Sequence, residues 1–323
     1  MDKIDNCHDD SLEMDMNELK FEILIEESFA TINIDAKLTP ANNKTVLSLI
    51  NDYEDGRWRF TKFQNFVWDN IIETALSKSE REKLVDQDQS RLIAAAKNLR
   101  LTDKENDISK GSELAEIVLY GLMKHHYRAI SVVPKIFYKQ NPQDNVKGAD
   151  SVHIVLENDN DFSIWFGEAK FYNSIENTRL GSIINSVEES IQTEKLKKEN
   201  SIITNVSDLD HIIEDTELRD RIRKLLSGNT SIDDFKPKLH IPILLLHECQ
   251  ITKIAKELTD SYRNDIVSYH KDRAQSYFSK QVSKIGGVHK YSDITFHLIL
   301  FPVPNKKEIV DLFLANAEHY KGQ

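Results

Sequence analysis

The chain has 323 residues, 40% of them hydrophobic, with 10 Gly, 7 Pro and a formal net charge of -11. This composition fits a globular fold with its own core and excludes a low-complexity chain, and no apolar run approaches the ~20 residues that span a bilayer. The acidic balance argues against a free, tight binder of nucleic acid, because phosphate neutralisation dominates non-specific affinity. A nucleic-acid role would need a local basic patch or a partner that delivers the substrate.

Residues 1–16 read as an acidic polar tail with the marks of neither a signal peptide nor a transit peptide. Residues 21–36 are β-branched and partly alternating and predict one or two strands. Residues 42–51 predict a short helix. Residues 58–77 carry aromatics near helical spacing, a stripe that reads as core in preference to a base-stacking surface. Residues 79–96 continue as a charged, then apolar helix. Ser112, followed by acids, suits a helix start, with Leu114, Ile117, Val118, Gly121 and Leu122 as the packed face.

Residues 130–138 predict a strand. Residues 150–157 alternate as a strand should, 158–161 form a turn, and 162–171 return. A helix over 177–199 ends in the basic run Lys195-Leu196-Lys197-Lys198. Residues 201–231 are charged and helical, as in a surface insertion. Residues 239–247 form a continuous apolar run, the mark of a buried strand. A long helix over 252–281, a strand over 294–301 and a terminal helix over 305–319 complete the chain. The two cysteines, Cys7 and Cys249, can build neither a disulfide framework nor a thiolate metal site, and the expected compartment is a reducing cytoplasm. The order from residue 111 onward predicts an α/β fold with a mixed central sheet flanked by helices. We divide it into an N-terminal α+β extension (1–108) and a core (109–323) with a helical insertion near 201–231.

The chemistry concentrates between residues 110 and 170. In a hairpin turning around position 159, Asp150 and Glu168 lie opposite each other, nine residues to either side. Opposed residues share a face with Cβ atoms about 5 Å apart, and Lys170, two further on, projects to the same face. Paired carboxylates repel unless a cation sits between them. Mg²⁺ suits this arrangement, binding through one or two carboxylates plus waters and phosphate oxygens, and the Ala169 backbone carbonyl is a further candidate ligand. Lys170 would orient an attacking water or stabilise developing charge. Glu113 and Glu116 share one helical face. Glu116, among packing residues, is the candidate helix acid. Glu113, in the first turn, is also explained by the helix dipole. A structural ion pair at a strand end is the competing reading of Glu168 and Lys170.

Gly111-Ser112-Glu113-Leu114-Ala115-Glu116, Gly148-Ala149-Asp150 and Phe166-Gly167-Glu168-Ala169-Lys170 together resemble the PD-(D/E)xK, or restriction-endonuclease-like, superfamily. More closely, the chain is similar to the HamA family, the nuclease subunits of the bacterial Hachiman antiphage defence system. The resemblance implies a restriction-endonuclease-like core and a Mg²⁺-dependent DNA endonuclease, with Mn²⁺ as a substitute. It implies an effector that works with a superfamily 2 helicase, with Asp150, Glu168 and Glu116 as metal-binding acids and Lys170 as catalytic lysine. Gly148-Ala149 stand where the superfamily name has a proline. The alternative from another class is a non-catalytic subunit that keeps the fold and binds the helicase or nucleic acid. The residues alone do not separate DNA from RNA.

Other candidates weigh less. His125-His126 complement a helix C-terminus. His247-Glu248-Cys249 is a strand end without further ligands at metal spacing. The lysine run reads as a solvated helix end. Gly286-Gly287 is a turn, not a phosphate loop.

Overall fold

The computed structural model describes residues 19–101, 111–138, 148–157, 161–205, 213 and 215–323. The acidic tail over 1–16, the turn residues 158–160 and part of the 201–231 segment lie outside the described residues. Seven strands form one mixed sheet: β1 (Glu22–Ser28), β2 (Lys44–Ile50), β5 (Ile130–Val133), β6 (Ser151–Glu157), β7 (Asp161–Tyr172), β8 (Leu239–Glu248) and β9 (Thr295–Val303). A two-stranded ribbon, β3 (Tyr53–Glu54) and β4 (Arg57–Trp58), stands apart. The sheet order is β1-β2-β9-β8-β7-β6-β5. β2, β9, β8 and β7 run parallel, and β1, β6 and β5 pair antiparallel at the two ends.

Helices cover both faces, as the buried, largely apolar parallel strands require. One face carries α2 (Phe60–Ala75), α4 (Asp88–Asn98), α5 (Ser112–His125) and the terminal helix α13 (Lys306–Lys321). Their side chains pack on Trp165, Ala169, Phe171, Leu244, Leu246, Ile299 and Phe301. The other face carries α7 (Leu180–Ser190), α8 (Thr193–Asn205), α9 (Thr216–Leu226) and α12 (Asp260–Ile285) over Ile164, Phe166, Ile243, Leu245 and Leu298. Alternate residues of each strand serve the two cores, the period-two rule of a pleated strand. α3 (Lys78–Lys83) and three single turns, α1 (Phe29–Ile32), α6 (Lys135–Tyr138) and α10 (Ile232–Phe235), join these elements.

The expected α/β class and the strand–helix order from residue 111 are what the structure shows. The differences are local and physical. Residues 42–51, read as a helix, contain strand β2 between β1 and β9. Val46, Leu47, Leu49 and Ile50 are buried, serving both cores, and such a continuous apolar run carries no periodicity that separates strand from helix. β5 ends at Val133, where Pro134 offers no N–H to a ladder, and a helical turn follows. The helix over 177–199 is two helices broken at Ile191–Gln192, so the lysine run lies inside α8 and not at a helix end. The long helix over 252–281 is a short α11 (Gln250–Ile254) and then α12, whose start is capped by the Thr259 hydroxyl accepting from the Tyr262 N–H.

Candidate active site

The β6–β7 hairpin sets the geometry. Its ladder pairs Glu157 with Asp161 and Ser151 with Gly167, a register centred on position 159. Continued by one residue, that register puts Asp150 opposite Glu168. The Asp150 N–H donates to the Gly167 carbonyl at 2.8 Å, and the Ala169 N–H donates to Asp150 Oδ2 at 3.0 Å. Glu168 and Lys170 share the face of Ile164 and Phe166, the face covered by α7 and α8. Lys170 Nζ lies 3.8 Å from Asp150 Oδ2 and 3.8 Å from Glu168 Oε2. The N–H and C=O of one strand residue point to the same side, so the Ala169 carbonyl is also directed towards the edge where β6 begins. Asp150, Glu168 and Lys170 line a cleft of about 380 Å³, together with Ser186, Glu189 and Ser190 of α7 and Lys195 and Glu199 of α8.

Two features bring Glu168 to this place. Pro242 of β8 has no N–H to give to β7, and the β7–β8 pairing lapses between Trp165 and Glu168. On the opposite face, Gly167 lets α5 approach. A Cβ there would stand 2.7 Å from Leu119 Cδ2 and 2.2 Å from Ser151 Oγ. The helix beneath it starts at Ser112, as expected. Gly111 is the N-cap, at φ 91°, in the left-handed region open to glycine.

Glu116, on α5, is 7% exposed and reaches the same neighbourhood from the other layer. With Asp150, Ser151, His153, Tyr120 and Lys135 it lines a small cavity of about 10 Å³. Burial works against the Lys170 ammonium, but Asp150, Glu168, Tyr172 and Glu116 together outweigh it and hold its pKa above the ordinary 10.5. The structure therefore gathers Asp150, Glu168, Lys170 and Glu116. Glu113 is engaged elsewhere: its two carboxylate oxygens accept the Arg100 and Leu101 N–H groups at 2.8 and 2.9 Å.

Among the described residues no group of three or more His, Cys, Asp or Glu could hold a metal ion by itself. The donors at the cleft are carboxylates and a backbone carbonyl, a hard all-oxygen set. Asp150 and Glu168 converge on one place, beside the Lys170 ammonium. That fits Mg²⁺, which keeps several waters and takes one or two carboxylates plus phosphate oxygens.

Two residues of this neighbourhood were not among the sequence-derived candidates, and a third was set aside. Lys195, part of the run read as a solvated helix end, lines the cleft. Lys135 and Glu199 form an ion pair at 2.6 Å with both side chains 3% exposed. No local pattern marks the pair, because the partners are 64 residues apart. The remaining candidates have structural places. Phe63 and Phe66 of the aromatic stripe are fully packed in the core. His126 is the C-cap of α5 and lies 3.3 Å from Glu26. His247 hydrogen-bonds His270 at 3.1 Å, and the Glu248 carboxylate accepts the Lys306 N–H at the start of α13.

No helix among the described residues is long and apolar enough to cross a membrane. No curated protein matches the chain. The model of the HamA family, however, matches residues 25–317, running from β1 through the sheet and the whole cleft into α13. The chain thus belongs to the HamA family, a component of the Hachiman antiviral defence system.

Proposed function

We propose that the protein is a metal-dependent DNA endonuclease, the effector of its defence system, working with a superfamily 2 helicase. The observation that carries this reading is the pair of carboxylates on facing strands, Asp150 and Glu168, sharing one lysine at the base of an open cleft. Asp150, Glu168 and the Ala169 carbonyl would hold Mg²⁺, or Mn²⁺ in its place, with Glu116 approaching from α5. Such a metal would supply Lewis-acid polarisation of the scissile phosphodiester. Lys170, 3.8 Å from both Asp150 and Glu168, would donate hydrogen bonds that orient the attacking water and meet the charge that develops on phosphate oxygens. Lys195, which lines the cleft, would meet a backbone phosphate entering it. A chain of net charge -11 gains little non-specific affinity from its own surface, so a helicase that brings the DNA complements it.

The test is plasmid cleavage by the protein, with and without its co-purified helicase, in Mg²⁺ and in EDTA. Cutting is expected in Mg²⁺ alone, reduced ~100-fold or more by Lys170→Ala, the scale of removing one transition-state donor, and abolished by Glu168→Ala. No cutting by the wild type with any partner or strand form, together with no Mn²⁺ binding, would make the protein a non-catalytic subunit that binds the helicase or nucleic acid.

A further inference from the structure

Lys135 and Glu199 hold the backbone that carries Asp150. Glu199 Oε2 accepts the Lys135 ammonium at 2.6 Å, and its other oxygen, Oε1, accepts the Ala149 N–H at 3.0 Å. The carboxylate lies against Gly148: a Cβ at that position would fall 1.4 Å from Oε1. Lys135 opens the helical turn after β5, Ala149 precedes β6, and Glu199 sits in α8, so one buried pair joins three segments that are distant in the chain.

Burying two charges is costly unless each is paired and its remaining hydrogen-bonding capacity is met. Here both carboxylate oxygens are engaged, one of them by a backbone amide adjacent to a site residue. The same geometry accounts for Gly148-Ala149 before Asp150. Residue 148 can carry no side chain against Glu199, and residue 149 must offer an N–H, which proline lacks.

We propose that Glu199, oriented by Lys135, is a positioning residue of the site: it fixes the 148–150 backbone so that the Asp150 carboxylate faces Glu168. The proposal rests on the metal-dependent nuclease reading above. Removing a residue that orients a metal ligand weakens metal affinity by roughly 10–100-fold.

Two double variants separate positioning from packing. Both remove the two charges together, so neither leaves one buried alone. In Lys135→Met/Glu199→Gln the amide oxygen can still accept the Ala149 N–H. In Lys135→Met/Glu199→Met nothing can. Mn²⁺ affinity by calorimetry, cleavage kcat and KM for DNA, thermal stability and amide exchange over 149–151 are measured for the full-length protein with its helicase. The Gln variant is expected to stay within about threefold of wild type in Mn²⁺ affinity and kcat. The Met variant is expected to lose Mn²⁺ affinity and kcat by about 10–100-fold, with KM unchanged and faster exchange over 149–151. If the folded Met variant binds Mn²⁺ and cuts as wild type does, or if the two variants fall together in step with thermal stability, the positioning role is overturned. If the wild type itself neither binds Mn²⁺ nor cuts, and Glu168→Ala is indistinguishable from it, the nuclease reading has failed instead.

Discussion

At the scale of single residues, the site depends on contacts that tolerate little change. Gly167 separates two packed layers, and a methyl group there meets Leu119 and Ser151 well inside contact distance. Gly167→Ala is expected to cost about 1–3 kcal/mol through overpacking, read as a lower urea midpoint with an unchanged slope. It would also push α5, with Glu116, away from the sheet. A variant as stable as wild type would show that the layers yield freely at this point. The hairpin arithmetic was legible in the sequence because the period of a strand is two and the turn was short. Once position 159 is the centre, Asp150, Glu168 and Lys170 must share a face. Where the Glu113 carboxylate goes was not legible, because its partners lie outside its own helix. The 100–101 backbone N–H groups take it.

At the scale of elements, ends and breaks carry the information. The start of α12 is set by Thr259, whose hydroxyl satisfies one of the helix's orphan N–H groups. Thr259→Ala is expected to destabilise the protein by about 1 kcal/mol, and Thr259→Asp to retain the cap, in paired denaturant melts. Equal losses in both would assign the effect to packing. Strand β2 was hidden for the opposite reason. It is buried between neighbours and serves both cores, so it shows no alternation to betray it. The break between α7 and α8 was also unmarked by Gly or Pro, yet it brings Lys195 and Glu199 to the cleft in place of a solvated helix end.

At the scale of the whole molecule, the sheet is continuous from β1 to β5, and β2 pairs directly with β9. A fragment beginning at residue 109 would lose β1, β2, α2 and α4, baring the β9 edge and the core side of α5. It is expected to be insoluble or molten. A soluble fragment with a cooperative melt would show that the N-terminal part is dispensable to folding. Acid stability is a second property of the assembled core. Burial pushes His153 down to about 3 and His247 down to about 4, from the ordinary 6.5. Both are neutral in the folded state, so the unfolded chain binds the extra protons. Their stabilisation is complete above pH 6.5 and is lost as the pH falls towards 4. His153→Leu should remove on the order of 2 kcal/mol of that acid sensitivity, seen as a flatter plot of melting temperature against pH between 6.5 and 4. An unchanged slope would exclude His153 as a contributor.

The sequence by itself determined what depends on local period and composition: the α/β class, the order of strands and helices after residue 111, the hairpin that opposes Asp150 to Glu168, and the family resemblance carried by those motifs. Tertiary structure alone decided what depends on contacts between distant segments. It tied the Glu113 carboxylate to the 100–101 backbone, drew Lys195 to the cleft, and paired Lys135 with Glu199 across 64 residues of chain. It also made the N-terminal strands part of one sheet. The physical reason is burial. A charge or an apolar strand enclosed on every side leaves no periodic trace in the chain, and its partners are set only when the layers close over it.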